Sequence, residues 1–276
     1  MQILDFGDCI KKGHYKLHSK FKSVYNYTNN KEIVSLVSYK IGNGPNNIVL
    51  NDFPLQAEQT LTVSNSTISI GNTAFQIDPI KPHPKKYIYI ANISELLSKI
   101  EILLDEISDK ISPQSLGFLL FTDNEIFFQT TFEKAFLVHV KKTVQNISLE
   151  NLTIITKNMK GVGFGLTPSG DDFNCGILYA LNYLNQIMSK DFSEIIEKCY
   201  LNSIGNNLIS NTFLKFAYSN KYYENFYKLL KALKYNKNDI SHHANKIIGS
   251  GHTSGSDMLT GFILTIKGVL NDKRYS

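Results

Sequence analysis

Asp171, Asp172 and Asp257 are the carboxylates best placed to do chemistry in this sequence, because each follows a glycine-rich turn that runs into a mostly apolar stretch of helical length. The first turn reads Gly161-Val-Gly163-Phe-Gly165-Leu-Thr167-Pro168-Ser169-Gly170-Asp171-Asp172, with Gly176 four residues on. The second reads Gly249-Ser250-Gly251-His252-Thr253-Ser254-Gly255-Ser256-Asp257, with Gly261 four residues on. Both contain Ser-Gly-x-Asp-x-x-x-Gly. Nine of the chain's 17 glycines fall in these two windows, so the backbone there is built for unusual turns or close approach. A loop of this type at a helix start presents backbone amides to an anion. The ligand-binding candidates are therefore Gly163, Gly165, Thr167, Ser169 and Gly170 in the first turn, and Gly251, Thr253, Ser254 and Gly255 in the second. His252, inside the second turn, is the histidine best placed for proton transfer.

A simpler reading competes with this one. Ser169 with Asp172, and Ser254 with Asp257, each fit a helix capping box, in which serine and carboxylate satisfy free amides of the first turn. Capping leaves the upstream glycines, Pro168 and the second carboxylate at Asp171 without a purpose. Gly176 and Gly261 lie inside the expected helices, where each costs about 1 kcal/mol against alanine. Close packing of another backbone is the usual reason, and contact between the two helices there brings both loops to one site. An anion at these amides is repelled by the aspartates. A divalent cation such as Mg²⁺ between them resolves the conflict. So does a ligand that offers N–H groups to the aspartates, as a carbamoyl compound does. The residues leave the choice, and the metal, open.

Other polar groups are weaker candidates. His242 and His243 are adjacent rather than one helical turn apart, a poor metal pair. Asn206-Asn207 and Ser210-Asn211-Thr212 make either a solvent face or a face turned to the site. His18-Ser19 and Asn26 form a polar cluster ahead of the first strong strand, and Gly42-Asn43-Gly44-Pro45 reads as a hairpin turn. No Walker-type phosphate loop, no nucleophile elbow and no H-E-x-x-H is present.

The elements that must position these residues divide into two kinds. Ile33–Tyr39, Asn47–Leu50, Thr60–Val63, Thr67–Ile70 and Ala74–Ile77 are short, β-branched and separated by turn residues, which predicts strands. Lys81 to Lys86 carries two prolines and three lysines and is read as a linker. Beyond it, Leu96, Leu97, Ile100, Leu103, Leu104, Ile107 and Ile111 form a helical stripe ended by Ser112-Pro113. Residues 116–121 and 125–128 fit either a buried hairpin or helical turns. Helices are expected over 132–146, 151–160, 171–189, 192–202, 205–218, 221–235, 239–248 and 256–270. The fold class is α+β: a β-rich N-terminal domain over 1–90, then a mainly helical domain over 91–276 that carries both glycine motifs.

Composition narrows the setting. The 276 residues are 42% hydrophobic, enough for a sizeable core. No apolar run reaches the ~20 residues of a membrane span, and the N-terminus lacks a signal-peptide pattern. Three cysteines without a C-x-x-C fit a reduced, cytoplasmic setting. The net charge of +5 is spread over dispersed lysines, so nucleic acid is not an expected partner.

The segment Gly163-Phe-Gly165-Leu-Thr-Pro-Ser-Gly-Asp-Asp172, together with Gly251-His252-Thr253-Ser254-Gly255-Ser256-Asp257-Met-Leu-Thr-Gly261, resembles the AllH-like family, long described as a domain of unknown function. Threonine at 253 stands where the family pattern has serine. His18-Ser19 with Asn26, Gly42 to Pro45, and Ser210 to Leu214 are weaker matches. The resemblance implies a subunit of an oxamate carbamoyltransferase that works with FdrA-like and AllG-like partners in anaerobic allantoin (purine) catabolism. It implies phosphorolysis of oxalurate to oxamate and carbamoyl phosphate, and it adds His18 to the ligand-binding candidates. Two alternatives stay open: a non-catalytic binding or scaffold subunit, and a stand-alone metal-dependent hydrolase or phosphotransferase.

Overall fold

The computed structural model describes residues 1–77, 93–188, 190–235 and 239–271, and the proline-rich linker read over 81–86 lies outside them. The chain divides into two compact units, Met1–Lys86 with Tyr222–Glu224, and Tyr87–Lys221 with Asn225–Ser276. The architecture is α+β, an eight-stranded sheet followed by helices.

In the first unit the strands are β1 (Ile3–Phe6), β2 (Gly13–Lys20), β3 (Val24–Thr28), β4 (Ile33–Ser38), β5 (Asn47–Leu50), β6 (Thr60–Val63), β7 (Thr67–Ile70) and β8 (Thr73–Gln76). They pair in the order β1-β5-β4-β3-β2-β6-β7-β8. Strand β4 is buried along its whole length, as a central strand should be, with Ser35 and Ser38 among its apolar residues. Tyr15, Tyr27, Leu36, Ile48, Leu50, Leu61 and Ile68 fill the core under the sheet. Buried Tyr25 and Tyr27 keep their hydroxyls satisfied by donating to the carbonyls of Pro54 and Glu58.

One expectation is sharpened here and one corrected. Strands β1, β2 and β3 fill the stretch before Ile33, within the β-rich part expected there, and the polar cluster of His18, Ser19 and Asn26 lies on β2 and β3. Polar side chains alternate there with Tyr15, Leu17, Tyr25 and Tyr27, and the alternation is the strand signal. Gly42 to Pro45 is not a hairpin turn, because β4 and β5 pair in parallel, Ser35 opposite Asn47 through Ser38 opposite Leu50. The connection carries the chain back along the strand and runs against Gly7, whose amide donates to Asn47 while the amide of Cys9 donates to Pro45. A Cβ on Gly7 would collide with the Gly44 and Pro45 carbonyls.

In the second unit the helices are α1 (Ile93–Ile107), α2 (Thr131–Thr143), α3 (Leu152–Met159), α4 (Ser169–Ile187), α5 (Ser193–Ser203), α6 (Leu208–Tyr218), α7 (Glu224–Tyr235), α8 (Ile240–Ile248) and α9 (Ser254–Leu270). The stripe Leu96, Ile100, Leu103 and Ile107 of α1 is fully buried. Residues Leu116–Leu119 and Thr122–Phe127 are short 3₁₀ turns, which decides between the two readings left open for that stretch. Helix α4 is buried on every side from Ser169 to Leu184, and α9 nearly so, which makes them the spine of the unit. Glycine lets the two cross closely. A Cβ on Gly176 would collide with the Met258 carbonyl, and one on Gly261 with the Phe173 carbonyl. Among the described residues, no helix is long and apolar enough to cross a membrane.

Candidate functional site

Helices α3 and α4, with the turn between them, have the same construction as α8 and α9 with theirs. The Gly170 amide donates to the Val162 carbonyl at 2.8 Å, and the Gly255 amide to the Ser250 carbonyl at 3.3 Å. A Cβ on Gly170 would collide with the Met159 carbonyl that ends α3, and one on Gly255 with the Ile247 carbonyl near the end of α8. Gly163 (φ +106°) and Gly251 (φ +78°) take the same left-handed turn and pack on Ser169 and Ser254 respectively. From those glycines to the serines there are six positions in the first turn and three in the second, so the first loop carries a three-residue insertion. The left-handed turns at Gly161, Gly163, Gly165 and Gly251 are the physical reason for glycine there. At Gly170 and Gly255 the reason is the preceding helix, whose backbone fills the space a side chain would take.

The two loops meet. Thr167 Oγ1 lies 3.0 Å from Ser254 Oγ and donates to Asp172 Oδ2 at 2.8 Å. Each loop also reaches the other's carboxylate. The Ser254 hydroxyl stabilises charge on Asp172, and the Ser169 hydroxyl does the same for Asp257. This arrangement overturns the capping-box reading. Neither α4 nor α9 has a side-chain N-cap, because Ser169 and Ser254 are themselves the first helical residues and turn toward the opposite loop. Genuine caps stand elsewhere, at Thr130 with Glu133 on α2 and at Asn207 on α6.

Asp172 and Asp257 are fully buried. Asp257 Oδ1 accepts from the Leu116 amide at 2.6 Å, while its Oδ2 has no hydrogen-bond partner among the described residues. The Ser169 and Thr253 hydroxyls lie close enough to favour its charge without hydrogen-bond geometry to that oxygen. Burial pushes Asp257 up to about 7, against the opposing pull of Leu116, Ser169 and Thr253. Asp172 stands well above the usual carboxylate range, first through burial and then through the nearby charge of Asp257. The pair therefore holds a proton near neutrality. Burial also raises Asp171, opposed by the Gly161 amide, which donates to its Oδ1 at 2.7 Å, and by Ser210 and Lys160. Beneath the pair, Cys175 is a buried thiol raised by burial and by Asp172.

Above the carboxylates, the loops are open. Among the described residues, the amides of Gly163, Phe164, Gly165, Leu166 and Thr167 donate to no protein atom, and neither do those of Gly251, His252, Thr253 and Ser254. Gly165, Phe164, Gly251 and His252 are exposed, and the His252 carbonyl accepts from the Ser112 hydroxyl. The hydroxyls of Thr167, Ser169, Thr253 and Ser254 thus lie between a surface row of free amides and a buried carboxylate pair. Among the described residues no group of three or more His, Cys, Asp or Glu is placed to hold a metal. His18 belongs to the first unit. It sits at a bulge of β2, with Nδ1 3.2 Å from Ser19 Oγ, which accepts from Asn26 Nδ2, which Ser35 holds in turn. Sequence reasoning left the α6 polar run open. Asn207 donates to the Leu166 carbonyl at 2.6 Å and Ser210 lies against Asp171, so that face is turned to the first loop.

No curated protein and no solved structure matches the chain. Residues 159–266 match the family model described as oxamate carbamoyltransferase subunit AllH. That segment holds both glycine loops, all three aspartates and the whole of α4. Over that segment, less than half of the chain, the sequence is similar to the AllH family, which is described as a subunit of oxamate carbamoyltransferase.

Proposed function

We propose that the paired loops form the ligand site of a carbamoyl-transferring assembly of which this chain is one subunit. The observation that carries this reading is the Thr167–Ser254 contact at 3.0 Å, which joins the two glycine loops inside the matched segment. The free amides of residues 163–167 and 251–254 suit the oxygens of phosphate or of a substrate carboxylate. Thr167 commits its proton to Asp172. Its oxygen then offers lone pairs, which suit the N–H groups of a carbamoyl ligand. The conflict between anion and aspartates is resolved by depth: hydroxyls cover the carboxylates, and amides face outward.

The substrate pair proposed is oxalurate and phosphate. A phosphate oxygen attacks the carbamoyl carbon, the bond to the oxamate nitrogen breaks, and carbamoyl phosphate and oxamate result. The proton lost by hydrogen phosphate equals the one the leaving nitrogen needs. A carboxyl pair titrating near neutrality, in contact with the ligand-facing hydroxyls, is matched to that transfer. His252 is the exposed proton carrier proposed for the second loop. FdrA-like and AllG-like chains are the proposed partners, in cytoplasmic purine catabolism. The full burial of Asp172 and Asp257 favours one variant of this reading, in which a partner completes the catalytic centre over the loops.

The test is phosphate-dependent cleavage of oxalurate by the purified chain, alone and with those partners. The reconstituted assembly is expected to turn over, and Asp172→Asn to lower kcat at least 100-fold while the melting temperature holds or rises. Full activity in Asp172→Asn and in Thr167→Val would return the cluster to a structural interlock.

A further inference from the structure

The three-residue insertion leaves the first loop with little to hold it. Gly163 and Gly165 both have positive φ, so the peptides between them rotate at small cost. Among the described residues, the backbone of 163–166 makes a single hydrogen bond, from Asn207 Nδ2 to the Leu166 carbonyl at 2.6 Å. Phe164 adds a side-chain hold by leaning on Phe132 and Phe136 of α2. The other end of the Asn207 amide is fixed as well. Its Oδ1 caps α6 by accepting from the Ile209 and Ser210 amides, each at 3.0 Å. An acceptor on one side and a donor on the other leave one orientation of the amide. The second loop, three residues shorter, has no counterpart of Leu166 to support.

We propose that Asn207 is a positioning residue of this site, which holds the Leu166–Thr167 peptide so that the Thr167 amide faces the ligand. The peptide unit is planar and trans, so its C=O and N–H point in opposite directions. Anchoring the Leu166 carbonyl on α6 turns the Thr167 N–H away from α6, to the side where no protein acceptor meets it. Helix α6 thereby sets the direction of an amide beside the Thr167 hydroxyl that bridges to Ser254 and Asp172. The ligand part of this inference rests on the site proposed above. The loop-anchoring part does not.

Asn207→Asp separates the two duties, since a carboxylate still caps α6 but no longer donates to Leu166. Asn207→Ser is the second variant, keeping a capping oxygen too short to reach the loop. Two quantities are read beside the melting temperature: calorimetric affinity for inorganic phosphate, and the rate of chymotryptic cleavage between Phe164 and Thr167, located by mass. In whichever variant melts within about 2 °C of wild type, phosphate affinity is expected to fall at least tenfold and cleavage to accelerate at least tenfold. Faster cleavage in a chain whose wild type binds no phosphate upholds the anchoring and removes the ligand reading. Unchanged cleavage and unchanged affinity in a variant of native stability overturn the proposal.

Discussion

Asp257→Asn is expected to melt several degrees above wild type at pH 8 and by a smaller margin at pH 5. Burial holds the Asp257 carboxyl proton up to about 7, against 3.8 for an ordinary aspartate. Between those values the native state binds more protons than the unfolded chain, so stability falls as pH rises through the interval. The loss is about 1.4 kcal/mol per pH unit for one such group. Asp172 is shifted in the same direction, by burial and by the charge of Asp257, and adds to the slope. An asparagine at 257 keeps the oxygen that accepts from Leu116 and removes the charge. The variant should therefore gain about 2 kcal/mol or more over wild type at pH 8, some 4–8 °C for a unit of this size. Melting curves from pH 5 to pH 8 check it. A wild type more stable at pH 8 than at pH 5, or a variant with the same slope, means that the pair is ionised and compensated in the fold.

Alanine at the helix crossing has the opposite effect and a comparable size. Gly176→Ala and Gly261→Ala each gain about 1 kcal/mol of helix propensity. Against this, the new methyl enters the backbone of the facing helix, at the Met258 or the Phe173 carbonyl. Both helices are buried and cannot move apart without opening the core. A net loss of about 2–4 kcal/mol is expected, lowering the melting temperature by roughly 5–15 °C. Gly205→Ala is the control, since its methyl would meet only the Lys160 side chain at ordinary contact distance, 3.6 Å. It should stay within about 1 kcal/mol of wild type. Denaturant midpoints for the three variants decide the matter, and equal stabilities would place the crossing elsewhere.

The glycines that defined the site in the sequence were legible because each breaks a local rule. Gly176 and Gly261 sit inside helices where alanine is better, and the structure supplies the facing backbone as the reason. The aspartates were legible as residues but not in their partners. Ser169 with Asp172 has the spacing of a capping box, and only the tertiary fold reveals that the serine reaches Asp257 while Asp172 is met by Thr167 and Ser254. Local spacing cannot distinguish a bond within a turn from one across two turns. Asn207 was visible only as part of a polar run, since its partner, Leu166, is 41 positions away. In the sheet, the parallel pairing of β4 with β5 was hidden because Gly42 to Pro45 has the composition of a hairpin turn, and composition carries no strand direction. The β-rich character of the stretch before Ile33 was legible, but not the bounds of β1 to β3, because exposed lysines and histidines mask alternation with buried tyrosines.

The central claim is that the two glycine loops serve one ligand. Its most direct test follows the backbone amide resonances of the uniformly ¹⁵N-labelled protein during titration with inorganic phosphate. Amides of Gly163, Gly165 and Thr167 should shift together with those of Gly251, Thr253 and Ser254, along one saturation curve. Asp172→Asn should alter that curve for both loops at once, because Thr167 and Ser254 meet on the same carboxylate. Saturable shifts confined to one loop, or to residues outside both, would contradict the claim.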